Sequence, residues 1–193
     1  MITFLRHGET ATNRAGLLQG HSDAVLTDLG RAQVASAAAA IALDRPRRLL
    51  VSPLPRTLET ASIVAEVVGI DPEPDERLIE LDYGEWEGRA IADIGAEEWR
   101  RWRADPGFAP PGGESLAAVR VRIAAFCEEL AAADRSVVAV SHVSPIKAAV
   151  AWALGCDDSI TWRMHLSVAS LTRVDRRGSQ PVLVSFNETA GRR

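Results

Sequence analysis

Ile2-Thr3-Phe4-Leu5-Arg6-His7-Gly8-Glu9-Thr10 is the stretch on which the fold turns. A short, mostly apolar run gives way abruptly to Arg-His-Gly, so Ile2–Leu5 reads as a buried strand that delivers Arg6 and His7 at its carboxyl end. The pattern recurs twice. Leu49–Val51 reads as a buried strand ending at Ser52-Pro53, and Val137–Val140 as another that delivers Ser141-His142. Between them lie helical patterns. Leu29–Leu43 is Ala-rich with a capping hydroxyl at Thr27, Arg56–Val68 is closed by Gly69, and Ser115–Ala133 carries Leu116, Val119, Ile123, Phe126 and Leu130 on one stripe. After His142, Ser144 is placed to cap a helix with Pro145 at its first position, running to Leu154 and ended by Gly155.

The remainder is less regular. Asp71–Asp75, with two prolines, reads as a connector, Leu78–Leu81 as strand or extended loop, and Ile91–Trp102 as helical fragments. Asp105–Gly113, rich in proline and glycine, is a loop. Ala169–Val174 and Val182–Phe186 are strands joined by the turn Asp175–Gln180. Strands alternating with helices imply an α/β layered fold: a three-layer α/β/α sandwich over a mostly parallel, mixed sheet. One domain is expected over residues 1–193, with roughly 85–115 an irregular insertion over the site. Ligands in such folds bind beyond the carboxyl ends of the strands.

Composition narrows the function. The chain of 193 residues is 47% hydrophobic, too apolar for a disordered protein, and no apolar stretch reaches the length of a bilayer span. Ile2–Leu5 is too short for a leader and runs straight into Arg6, so the expected location is the cytoplasm. With 22 basic against 26 acidic residues, neither nucleic acid nor an anionic membrane is expected as a partner. Cys127 and Cys156 read as reduced core thiols, outside any metal or redox spacing. Lys147 is the only lysine.

Two histidines and two arginines at strand ends point to an anion site. Arginine's planar fork matches a phosphate dianion, and a neutral imidazole offers a nucleophilic nitrogen. A phosphoryl group gathered by Arg6, Arg56 and one histidine is open to in-line attack by the other.

Further signals follow in order. Leu5-Arg6-His7-Gly8-Glu9-Thr10 with Asn13 resembles the RHG signature of the histidine phosphatase superfamily, the phosphoglycerate mutase-like family. Leu26-Thr27 with Gly30 and Gln33, Ser52-Pro53-Leu54 with Arg56-Thr57, Glu80 before Tyr83-Gly84, Gly112-Gly113-Glu114-Ser115 and Ser141-His142 extend the likeness to about Leu154. The resemblance implies His7 as the nucleophile that becomes phosphorylated, Arg6 and Arg56 as the phosphate clamp, His142 as a further donor and Glu80 as general acid and base. Asn13 is similar to an extra phosphate-pocket donor. Asp82, Glu85 and Glu87 are rivals to Glu80, which alone stands four residues before the glycine of Tyr83-Gly84. No cofactor and no metal are implied.

One departure is Val143, where many family members carry glycine after the second histidine. The form Ser141-His142-Val143-Ser144 is similar to bacterial acid phosphatase and α-ribazole phosphatase-like members. Ser144 and the start of its helix either offer amides to the substrate anion or serve only as a cap. Trp99-Arg100-Arg101-Trp102-Arg103 reads either as a recognition element for an acidic or flat substrate part or as a solvated helix face. His21 and His165 read as surface or packing residues, and Asn187 has no assigned role. The expected activity is a phosphomonoesterase acting on a small-molecule phosphate ester, of histidine acid phosphatase type. The alternatives are a phosphoglycerate mutase-type isomerase and a non-catalytic phosphate-binding module. A homodimer is compatible with the sequence.

Overall fold

A computed structural model describes residues 1–132, 136–177 and 180–189. Its sheet has the order β3-β2-β4-β1-β5-β6, with β1 at Ile2–Arg6, β2 at Arg48–Val51, β3 at Pro72–Pro74, β4 at Val137–Ser141, β5 at Leu171–Arg177 and β6 at Gln180–Glu188. The first four run parallel; β5 lies antiparallel to β1, and β6 antiparallel to β5. The helices are α1 (Ala11–Arg14), α2 (Asp28–Leu43), α3 (Pro55–Val68), α4 (Ala96–Ala104), α5 (Leu116–Ala132) and α6 (Val143–Leu154).

The short strands read as continuous apolar runs because both faces of the sheet are covered. Successive side chains point to opposite faces. Phe4, Leu50 and Ala139 enter a core with Ile123 and Phe126 of α5 and Ile146 and Ala149 of α6. Their neighbours Leu5, Leu49, Val51, Val138 and Val140 enter a second core with Val34, Ala38 and Ile41 of α2 and Ala61 and Val64 of α3. Helix ends follow the sequence signals at α2 and α3. The Thr27 hydroxyl accepts the Gly30 N–H at 3.0 Å, Pro55 opens α3, and Gly69 closes it with φ 69°.

Three expectations change. The connector at Asp71–Asp75 holds β3, and its prolines are tolerated because β3 is an edge strand. The Leu78–Leu81 stretch takes the extended-loop alternative, with Leu78 ending a 3-10 turn at Glu76–Leu78. Cys127 is fully buried, but Cys156 follows the end of α6 and is only half-buried. The turn expected at Asp175–Gln180 is largely strand, with Asp175–Arg177 in β5 and Gln180 in β6, while residues 178–179 and the helix end expected at Ala133 lie outside the described residues.

Candidate active site

The carboxyl ends of β1, β2 and β4 meet at one place. Arg6 ends β1, and His7 keeps the strand pairing for one more step, its N–H donating to the Ser141 carbonyl at 3.0 Å. The chain then turns against the start of α2 at Gly8. A Cβ on Gly8 would lie 2.5 Å from the Gly30 carbonyl oxygen, so the glycine of the Arg-His-Gly stretch is needed for close approach.

His7 is 2% exposed, and its Nδ1 lies 2.8 Å from the Gly8 carbonyl oxygen. A carbonyl only accepts, so Nδ1 carries the proton and Nε2 keeps its lone pair. Burial pushes the His7 pKa well below 6.5, and the neighbouring Arg6 and Arg56 add to that, against a small opposing effect of the Gly8 carbonyl. The imidazole is therefore neutral, with one free nucleophilic nitrogen. The His142 ring stands with its centroid 5.2 Å away.

Arg56, on the first turn of α3, is completely buried. Its Nη2 donates to the Gly20 carbonyl at 2.7 Å, Nη1 to the Ser22 carbonyl at 3.3 Å, and Nε to His142 Nδ1 at 3.2 Å. His142 Nδ1 is thus an acceptor, and its Nε2–H donates to Ser52 Oγ at 2.7 Å. Burial, with Arg56 next in weight, lowers the His142 pKa well below 6.5. Arg6 Nη1 donates to the Leu166 carbonyl at 2.5 Å, while Arg6 Nε is buried without a partner among the described residues. Burial lowers the Arg6 pKa to about 10, with Glu80 and Tyr83 opposing the fall. Neither guanidinium has a carboxylate partner within 4 Å among the described residues; both meet neutral acceptors. Two buried cations face one buried carboxylate, with the half-buried Glu87 adding to the field at Arg56, and their donors are tied to no carboxylate among the described residues, an arrangement that suits an anion.

Glu80 is that carboxylate, 3% exposed. Oε1 accepts from the Leu81 N–H at 2.8 Å and the Ser144 N–H at 3.1 Å, and Oε2 accepts from the Val143 N–H at 3.0 Å. The first turn of α6 therefore holds Glu80, so the Ser144 amide faces this carboxylate and is not free for a substrate anion. Nor does Ser144 cap the helix: His142 is the N-cap and α6 begins at Val143. The capping signal misplaces the start because Pro145 suits the whole first turn of a helix. The rivals of Glu80 serve elsewhere. Asp82 accepts from the Gly84 N–H at 2.8 Å, Glu87 accepts from Gly20 and Ser22, and Glu85 is exposed.

Asn13 closes a capping box on α1, its Oδ1 accepting the Thr10 N–H at 3.3 Å, and its Nδ2 donates to Gln19 Oε1 at 3.3 Å. The buried donor without a partner in this network is Gln19 Nε2. His21 is more than a surface residue: its Nε2–H donates to the Glu80 carbonyl at 2.9 Å. His165 is exposed. Trp99, Arg100 and Arg103 line a groove of about 430 Å3 with Trp162 and Arg163, and none of Arg6, His7, Arg56, Glu80 and His142 lines it. Trp102 is buried against Tyr83, ring centroids 6.0 Å apart. Ser52 is marked by its place at a strand end, but residue types alone do not mark Gly20 or Ser22, which enter through the hydrogen bonds they make to Arg56. Among the described residues, no helix is long and apolar enough to cross a membrane.

A mixed sheet with this order and an Arg-His pair at its central strand end defines a phosphate-handling α/β protein. The chain belongs to the histidine phosphatase superfamily (branch 1), which it matches over residues 2–189. It is 31% identical to phosphoserine phosphatase 1 of Hydrogenobacter thermophilus, covering 97% of this chain and 92% of that one. It is 36% identical to a probable phosphoglycerate mutase of Photorhabdus laumondii, covering 98% and 92%. Among solved structures it resembles mycobacterial glucosyl-3-phosphoglycerate phosphatase complexed with VO3, with TM-score 0.86, 31% identity, and coverage of 96% and 98%. The chain also spans 49% of the length of a bifunctional protein of Mycobacterium tuberculosis, matched at 33% identity.

Proposed function

We propose that the chain is a phosphomonoesterase that hydrolyses a small phosphorylated metabolite through a phosphohistidine at His7. The observation that carries this is the Nδ1–H bond of His7 to Gly8, which leaves Nε2 as a lone pair beside the buried guanidiniums of Arg6 and Arg56. Arg6 and Arg56 hold the equatorial oxygens, and His7 Nε2 attacks phosphorus in line as the ester oxygen leaves. Glu80, protonated for this step, gives its proton to that oxygen and the alcohol departs. Its carboxylate then takes a proton from water as the water oxygen attacks the phosphohistidine, releasing phosphate and restoring His7. As an anion draws Arg56 Nε away, His142 is free to carry its proton on Nδ1, with the Ser52 hydroxyl turning to donate to Nε2. In that tautomer His142 donates to the phosphoryl group. Asn13 acts through Gln19, whose Nε2 is the available donor.

The low His7 pKa keeps the nucleophile neutral in mild acid, which supports the acid phosphatase-type reading. The phosphatase relatives support hydrolysis and a small phosphate ester as substrate, and a cytoplasmic location is part of the same proposal. The mutase relative supports a second reading with the same phosphohistidine. Assay with p-nitrophenyl phosphate tests the first: turnover is expected, with a phosphoenzyme, and both vanish in His7→Ala. Turnover retained in that variant overturns the assignment. With 3-phosphoglycerate and 2,3-bisphosphoglycerate, phosphate release supports hydrolysis, and interconversion of monophosphoglycerates supports the mutase.

A further inference from the structure

Asn187 stands outside every sequence signal that marks the site, yet β6 brings it to the same end of the sheet. Pairing runs from Leu171↔Glu188 to Arg173↔Ser185, so two steps on β5 face three on β6, and the extra residue makes a bulge. Asn187 takes φ 56° there, in the left-handed region that asparagine tolerates better than most side chains. Its N–H turns to Thr172 Oγ1 at 3.3 Å, and its side-chain Oδ1 accepts the Ser167 N–H at 2.7 Å.

That N–H belongs to the peptide unit whose other end is the Leu166 carbonyl, the acceptor of Arg6 Nη1. A peptide unit is planar, so fixing its N–H fixes the direction of its carbonyl. An engaged N–H also polarises the group and strengthens the carbonyl as an acceptor. The surrounding segment is wrapped on the same two residues: the Ser170 carbonyl accepts the Arg6 N–H at 3.1 Å, and the Ala169 N–H donates to the His7 carbonyl at 3.0 Å. Ser170 Oγ closes the turn onto the Ser167 carbonyl at 2.7 Å. The described hydrogen bonds of the Arg6 guanidinium consist of the one to Leu166, so its aim depends on that single carbonyl.

We propose that Asn187 is a positioning residue for the phosphate clamp: it fixes the Leu166–Ser167 peptide plane and, through it, the guanidinium of Arg6. This rests on the reading of Arg6 as a phosphate ligand. The test compares two variants of the full chain by orthovanadate inhibition of p-nitrophenyl phosphate hydrolysis and by direct orthovanadate binding. Asn187→Gly keeps the left-handed backbone and removes the acceptor; Asn187→Asp keeps an acceptor oxygen. Losing one such hydrogen bond is expected to weaken orthovanadate binding about five- to tenfold in Asn187→Gly, with KM rising alongside. Asn187→Asp is expected within about twofold of wild type. In an Arg6→Ala background, Asn187→Gly is expected to change orthovanadate binding no further, because the effect runs through Arg6. Wild-type affinity in Asn187→Gly overturns the proposal, as does an equal loss in the Arg6→Ala background. If the wild-type chain binds no orthovanadate, the site reading itself falls and the proposal with it.

Discussion

Three main-chain amides hold the Glu80 carboxylate, and among the described residues no cationic side chain bonds to it. A group held this way keeps its position while its proton comes and goes, which is what alternating acid and base work requires. Glu80→Gln preserves the shape and removes the transferable proton. For the phosphorylation step, read as kcat/KM, an alkyl phosphate is expected to lose about 10²- to 10⁴-fold. p-Nitrophenyl phosphate, whose leaving group needs little protonation, is expected to lose less than about tenfold. Equal losses for the two esters would remove Glu80 from the acid role. At this scale the sequence shows the chemistry-bearing residues but not their partners. Arg6, His7 and His142 converge because they end or follow neighbouring parallel strands, and Arg56 joins them from the first turn of α3, whereas Glu80 arrives from an extended segment. Ser52 as the partner of His142 depends on the pairing of β2 with β4, and Gly20 and Ser22 as acceptors for Arg56 depend on a loop whose path no local pattern specifies.

Helix α6 carries the next prediction. His142 precedes it in extended conformation, φ −131° and ψ −175°, and Val143 is its first residue. Proline is favoured at a first helical position, and an extended preceding residue accommodates it. Val143→Pro is therefore expected to fold, with a melting temperature lowered by about 5–10 °C for the one lost hydrogen bond. It removes one of the three amides that hold Glu80. Hydrogen bonds to charged groups contribute about 1.5–3 kcal/mol, so kcat for an alkyl phosphate is expected to fall at least about tenfold, with KM little changed. An unchanged kcat would show that α6 does not position the carboxylate. The same helix shows where sequence reading stops. Ser144-Pro145 carries a real capping signal, but its Ser144 amide serves Glu80 from another part of the chain. β3 was hidden for a related reason: Pro72 and Pro74 are acceptable only at an edge, and edge position is a property of the assembled sheet.

At the scale of the whole molecule, a chain of net charge −4 gathers two guanidiniums at one buried point, each bonded to neutral acceptors. The parallel order, the two-faced core and the site at the strand ends were readable because each follows from alternating apolar runs and helices. The energetic consequence required the burial itself. His7 and His142 are buried neutral with pKa values held well below 6.5. The native state therefore binds fewer protons than the unfolded chain in mild acid. The stability these imidazoles confer is full above pH 6.5 and is lost as pH falls from there towards their folded values. Each contributes up to about 1.4 kcal/mol per pH unit in that window, so the two together shift the melting temperature by about 5–10 °C per unit in a domain of this size. His7→Asn is expected to reduce that slope by about half. An anion that engages the two guanidiniums acts in the opposite sense. Orthovanadate at about 100 times its Kd adds about 2.7 kcal/mol, raising the melting temperature at pH 7.5 by about 5–10 °C, and Arg56→Leu is expected to abolish most of that rise. Melting curves between pH 5 and 7.5, with orthovanadate added at the upper end, check both halves. A flat pH profile would rule out the buried neutral imidazoles, and an absent orthovanadate shift would rule out the oxyanion site.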